Sequence, residues 1–229
     1  MIDERSIFVT GTHTGIGKTL VSALLLKLLA ADYWKPVQCG DLTNSDTSTV
    51  RQLVGHDHPG IFHPERYALQ LPQSVHIAAA AEQKTVKLND FTRPQSSNRL
   101  IIEGAGGCLV PLNQTDVMID LATHLQAPVI LVTRYYLGAY NHTLLSLEAL
   151  QARGVKILGL VLNGGEAPEF CEFISKKTGL PFLGIIAQLA NVSSQTIESL
   201  AQEWRGKAND RPVTKGPQPD LASVYAAQN

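Results

Sequence analysis

Cysteine is scarce in this chain of 229 residues. Cys39, Cys108 and Cys171 are odd in number, far apart and without CxxC spacing, which argues against a disulfide framework or a zinc site and fits a reducing cytoplasm. Charge is thin as well. Charged residues make up 17% of the chain, the formal net charge is −1, and no basic stripe is visible; neither nucleic acid nor an anionic membrane surface is the expected main partner. No apolar run approaches the ~20 residues that cross a bilayer. Residues 1–6 are too short and polar to read as a secretory signal ahead of the first strand. Internal repeats and a second domain are also missing from the pattern. Asn113-Gln114-Thr115, Asn141-His142-Thr143 and Asn191-Val192-Ser193 match a glycosylation tripeptide, without meaning in a cytoplasmic chain.

What is present is a 44% apolar composition, enough for one α/β domain with a proper core. Residues 6–10 (SIFVT) read as a buried strand, followed by a Gly/Thr loop and an apolar helix over 18–31. The unit recurs. Strands are expected at 99–103, 128–133, 155–163 and 181–186, and helices at 116–126, 141–153, 168–178 and 193–205. Unbroken apolar strands alternating with helices predict a parallel sheet covered on both faces. The expected fold is therefore α/β, a P-loop NTPase-like parallel sheet in a single domain over 1–205, with 206–229 a loosely attached tail. Ligands in such sheets bind beyond the carboxyl ends of the strands, so the loops after Thr10, Glu103, Thr133 and Asn163 should meet at one edge.

The first loop reads Gly11-Thr12-His13-Thr14-Gly15-Ile16-Gly17-Lys18-Thr19. Glycines let backbone amides close around phosphate oxygens, the helix start adds partial positive charge, and Lys18 adds a full one. Thr19 offers a hydroxyl to a magnesium ion. The spacing departs from G-x-x-x-x-G-K-[ST], because the first glycine is Gly11 and not residue 12. Such a loop needs acidic partners. Glu103 ends a buried strand before Gly104-Ala105-Gly106-Gly107, where a carboxylate is costly unless paired or metal-bound. Asp46, in Asn44-Ser45-Asp46, is the second candidate, but on spacing alone it reads as a helix cap before it reads as a ligand.

Together these residues resemble the dethiobiotin synthase family. The loop Gly11-Thr12-x-Thr14-x-x-Gly17-Lys18-Thr19 is followed, in that family's order, by Lys35-Pro36-Val37, Asn44-Ser45-Asp46, Glu103-Gly104-Ala105-Gly106-Gly107, Leu137-Gly138 with Asn141-His142, and Asn163. The resemblance spans about residues 7–189. It implies an ATP-dependent cyclo-ligase that joins CO2 to 7,8-diaminononanoate and closes a ureido ring, with Mg2+ required and ADP and phosphate released. It implies a metal set of Thr19, Asp46 and Glu103. It implies an ATP site of Gly15, Ile16, Gly17, Lys18, Thr19, Asp46, Glu103, Gly104, Ala105 and Gly106, with Asn163, Ala187, Gln188 and Leu189 at the base. Lys18, Lys35 and Thr14 take catalytic roles by the same resemblance, and Thr14, Lys35, Cys39, Gly106 and Asn141 touch the substrate. A homodimer with the substrate site at its interface is implied too.

The chain departs from that family at His13 (usually aspartate), Gly15 (often bulkier or acidic), Cys39 (commonly serine), Val75 (usually proline) and Ala187 (often proline), and the segment before Lys35 is shorter, trimming the second strand. These changes spare the metal set and bear on substrate fit and rate. The competing reading is a nucleotide switch of the partition or membrane-positioning type (ParA/MinD-like), whose signature loop lysine is matched here by His13. A corrin-directed amide ligase would need a glutaminase domain for which the chain has no room. His56, His58 and His63 are expected in a polar surface loop, and Trp34 and Trp204 in packing.

Overall fold

The computed structural model describes residues 5–209. Strand β1 (Ser6–Gly11) is buried along its whole length, as an unbroken apolar run demands when both faces are covered. It lies at the centre of a seven-stranded sheet. The other strands are β2 (Asp32–Trp34), β4 (Phe62–His63), β6 (Leu100–Glu103), β7 (Val129–Thr133), β8 (Ile157–Asn163) and β9 (Phe182–Ile186), in the order β4-β2-β6-β1-β7-β8-β9. Every pairing is parallel. The chain moves outward from β1 to β2 and β4, returns to β6, and then builds the other half from β7. The switch point falls at β1, whose carboxyl end carries the glycine loop.

Helices α1 (Lys18–Leu29), α2 (Asp46–Val54) and α7 (Ser194–Asn209) cover one face. Their core includes Val21, Leu24, Leu25, Ile101, Val132, Val161 and Trp204. Helices α3 (Val75–Ala81), α4 (Met118–His124), α5 (Ala139–Gln151) and α6 (Pro168–Thr178) cover the other, around Phe8, Ile102, Leu131, Leu147 and Phe170. Each such buried side chain contributes ~1.5–3 kcal/mol relative to exposure. Trp34 and Trp204, 3% and 8% exposed, both pack in the core.

Several boundaries differ from the sequence expectations, each for a local reason. The second strand stops at Trp34 because Pro36 has no N–H for the ladder; the chain leaves the sheet and pairs β3 (Val37–Cys39) with β5 (Tyr67–Leu69) in a separate parallel ribbon. Helix α4 starts at Met118, not 116. The Asn113 Oδ1 atom accepts from Thr115 N and Asp116 N, both at 2.8 Å, and Val117 bridges Pro111, so this stretch is a side-chain turn. Helix α5 starts at Ala139, capped by left-handed Gly138, two residues before the expected 141. Helix α7 continues to Asn209, past 205; the rest of the predicted tail, 210–229, lies outside the described residues. His58 and His63 do not form a free surface loop. His58 Nε2 lies 2.8 Å from the Ala31 carbonyl and His63 Nε2 3.4 Å from Asp32, tying the edge of the sheet to β2. No helix among the described residues is long and apolar enough to cross a membrane.

Candidate active site

The loops after β1, β6, β7 and β8 do meet. Thr12 N donates to the Val132 carbonyl at 3.1 Å, Gly104 N to Val9 at 2.9 Å, and the Arg134 Nε to the Asn163 carbonyl at 3.3 Å. Asn163 is 5% exposed, and its Nδ2 donates to the Ile16 carbonyl at 2.9 Å, bracing the glycine loop from beneath. Gly17 shows why the loop needs glycine: its φ is +102°, and an added Cβ would stand 2.0 Å from that Asn163 amide. Gly11 is equally tight, with Ile16 Cγ2 2.5 Å from where a Cβ would sit, so the shifted first glycine still serves close packing. Helix α1 begins directly after Gly17 with no acidic residue in its first turn, leaving the positive end of its dipole uncompensated.

Four side chains converge in front of that loop. Thr19 Oγ1 donates at 3.0 Å to Glu103 Oε1 and lies 3.2 Å from Asp46 Oδ1. The Lys35 ammonium lies 2.5 Å from Asp46 Oδ2, 3.1 Å from Glu103 Oε1 and 3.1 Å from the Gly104 carbonyl. Lys35 is 2% exposed and Glu103 0%. Tyr33, fully buried, donates from its hydroxyl to Glu103 Oε2 at 3.0 Å. Ser45, not Asp46, is the N-cap of α2, accepting from Ser48 N at 3.2 Å. That leaves the Asp46 carboxylate free to turn toward Thr19 and Lys35 and resolves the capping alternative. Gln38 fixes the start of the helix by accepting from Asp46 N at 3.2 Å.

Electrostatics follow from this packing. Burial by itself lowers the Lys35 ammonium, but Glu103 and Asp46 outweigh it and hold Lys35 above the ordinary lysine range. Burial pulls Lys18 down to about 8, and Lys35 pushes in the same direction against Glu103 and Asp46. Burial raises Asp46, yet Lys35, the Thr19 hydroxyl and Lys18 bring it below the usual carboxylate value. Burial pushes the Cys39 thiol up to about 11 against the pull of Lys35, so it is a neutral thiol near pH 7 and no ready nucleophile.

A cavity of about 640 Å³ opens beside this cluster, lined by Thr14, Gly15, Gly17, Lys18, Thr19, Lys35, Cys39, Asp46, Glu103, Ala105 and Gly106 among others. Thr14 and Gly106 lie side by side in its wall: a Cβ on Gly106 would be 3.5 Å from Thr14 Oγ1. Pro72, Gln73, Ser74 and Val75 form a further wall. Other predicted residues stand outside. Ile16 is wholly buried and presents its carbonyl to Asn163, and Gly104 is held against Phe8. Ala187 and Gln188 are exposed and Leu189 half-buried, just past β9. Asn141 is exposed in the first turn of α5 and does not cap it. His13 is exposed, its ring edge-on to Tyr136 at 5.5 Å, with Nδ1 against the Thr14 carbonyl. The sequence pattern did not single out Tyr33 or Gln38; both sit on short strands, β2 and β3, that carry no periodic signal. A cavity of similar volume lies at the amino ends of the strands, beside Arg5 and His124, away from the glycine loop.

Comparison with known proteins agrees with this arrangement. An AAA domain family model matches residues 5–196. The ATP-dependent dethiobiotin synthetase BioD of Cytophaga hutchinsonii is 44% identical over 198 residues, covering 86% of this chain and 95% of that protein. The BioD of Christiangramia forsetii is 40% identical over 201 residues, covering 88% and 96%. Among solved structures, the septum site-determining protein MinD complexed with Mg-ADP from Pyrococcus horikoshii is similar in fold, at 15% identity and a TM-score of 0.54 over 92% of this chain and 99% of that one. On the strength of its curated relatives, this chain belongs to the dethiobiotin synthetase family.

Proposed function

We propose that this protein is an ATP-dependent dethiobiotin synthetase, acting on 7,8-diaminononanoate and CO2 with Mg2+ and releasing ADP and phosphate. The observation that carries the reading is the convergence of Thr19, Asp46, Glu103 and Lys35 in front of the glycine loop. In the reaction, one amine of the substrate takes up CO2 as a carbamate. A carbamate oxygen attacks the γ-phosphorus of ATP, and ADP leaves. The neighbouring amine then attacks the carbonyl carbon, and phosphate departs as the ureido ring closes.

Phosphoryl transfer asks a protein mainly for positioning and charge stabilisation. The amides of the glycine loop, the start of α1 and Lys18 supply both at the phosphates. Thr19, Asp46 and Glu103 suit a magnesium ion: they are hard oxygen donors, and the fully buried Glu103 already accepts a cation, Lys35. When bound, that ion would supply positive charge to offset the charge on the phosphates. Lys35 spends its three donors on Asp46, Glu103 and Gly104; with the carboxylates engaged elsewhere, two of those donors turn to the carbamate and the transferred phosphoryl group. Thr14 donates to the carbamate, and Asn163 and residues 187–189 flank the adenine.

Exposed Leu109, Leu137 and Leu145 near Asn141 and His142 support a homodimer in which the start of α5 meets the partner's substrate carboxylate, since helix N-termini bind anions. Three free cysteines among the described residues fit a cytoplasmic protein. The test is product formation: purified protein with Mg-ATP and 7,8-diaminononanoate should make dethiobiotin in proportion to added bicarbonate. Folded protein that makes none, or makes it without regard to CO2, refutes the reading.

A further inference from the structure

Glu103 has two carboxylate oxygens, and the structure divides them. Oε1 meets Thr19 at 3.0 Å and Lys35 at 3.1 Å on the cavity side, whereas Oε2 takes the Tyr33 hydroxyl at 3.0 Å inside the protein. This division is set by strand register. Tyr33 pairs with Ile101, two residues before Glu103, and side chains two apart share a face of the sheet. Lys35, two residues after Tyr33, reaches the same carboxylate. The Tyr33 ring cannot move to follow a wandering acceptor. It is 0% exposed, sits in the core beneath α1 and α2, and packs against Phe62 at 5.7 Å.

We propose that Tyr33 is a positioning residue for the metal ion: it anchors Oε2 of Glu103 so that Oε1 alone is presented beside Thr19 and Asp46. This rests on the magnesium–nucleotide site proposed above. An unanchored carboxylate can rotate, offer either oxygen, or chelate with both; a hydrogen bond from a rigid neutral donor removes that freedom without adding a cation that would compete with the metal. Lys35 cannot serve this purpose, because it shares Oε1 with Thr19.

The experiment compares wild type with Tyr33→Phe, which deletes one oxygen and keeps the ring. Mn2+ binding to the ADP-loaded protein is read from the electron paramagnetic resonance signal of free Mn2+, beside ADP binding without metal. Partners that orient metal ligands are worth ~10–100-fold in affinity, so the Mn2+ dissociation constant should rise by about that factor while metal-free ADP binding stays put. In a Glu103→Gln background, the same change should cost nothing further. Mn2+ affinity equal to wild type in Tyr33→Phe overturns the proposal. So does a parallel loss of metal-free ADP binding, which would assign Tyr33 to the fold, or an undiminished effect in the Glu103→Gln background. A wild-type protein that takes up no Mn2+ with ADP overturns the site itself, which separates the two failures.

Discussion

Lys35 concentrates the physics of the site in one side chain. Its ammonium is 2% exposed and meets two carboxylates and a carbonyl. Removing one partner of a buried charge cluster leaves the other uncompensated, at a cost of about 3–5 kcal/mol. Lys35→Ala should therefore melt well below wild type in chelator and recover part of the loss when Mg2+ is added, as a thermal melt would reveal. Its turnover should fall by ~10²–10³, the range seen when one preorganised charge-stabilising group is lost, with the KM for ATP changed much less. Full turnover in Lys35→Ala would remove Lys35 from the chemistry. Residue types near Lys35 were legible in part. Lys18, Thr19 and Glu103 announced themselves by sitting on strand–glycine–helix junctions, whereas Asp46 needed Ser45 to be seen capping α2 before its carboxylate could be assigned to the cluster.

At the scale of elements, β2 is the piece on which the site depends most, because three residues of strand place Tyr33 and Lys35. Asp32, at its start, is wholly buried and receives Ser96 Oγ at 2.5 Å, Ile61 N at 2.8 Å, Asn98 Nδ2 at 2.9 Å and His63 Nε2 at 3.4 Å. These bonds tie β4 and the segment before β6 to β2. Burial raises the Asp32 carboxyl, but Asn98, Ser96, Ile61 N and His63 together bring it below its ordinary value. A folded-state value below the unfolded one means stability that is present above about pH 4 and is lost as pH falls through the lower folded value. Asp32→Asn should cost about 2–3 kcal/mol near pH 7, the worth of hydrogen bonds to a charged group, and urea melts should show the gap to wild type closing below about pH 4. A gap that stays constant down to pH 3 would mean the charge contributes nothing. This part of the fold was the least readable beforehand. Strands β2, β3, β4 and β5 have two or three residues each, too few for a period-2 pattern, and their pairing depends on distant partners. The long apolar strands β1, β7 and β8 and the capped helix α6 carried enough periodic signal to be placed from the sequence.

The molecule as a whole is a doubly covered parallel sheet whose loops gather at one edge, and this much it shares with MinD. That fold serves more than one function, so the sheet does not distinguish a ligase from a nucleotide switch. The difference lies in where the γ-phosphoryl group goes. A switch gives it to water. The synthetase proposed here gives it to a carbamate oxygen that came from CO2, and ring closure then expels that oxygen with the phosphate. The decisive measurement is therefore a turnover in ¹⁸O-labelled bicarbonate, with mass analysis of the inorganic phosphate released alongside dethiobiotin. The account predicts one ¹⁸O atom from the label in each phosphate formed; phosphate with no labelled oxygen, its fourth oxygen taken from solvent, would contradict it.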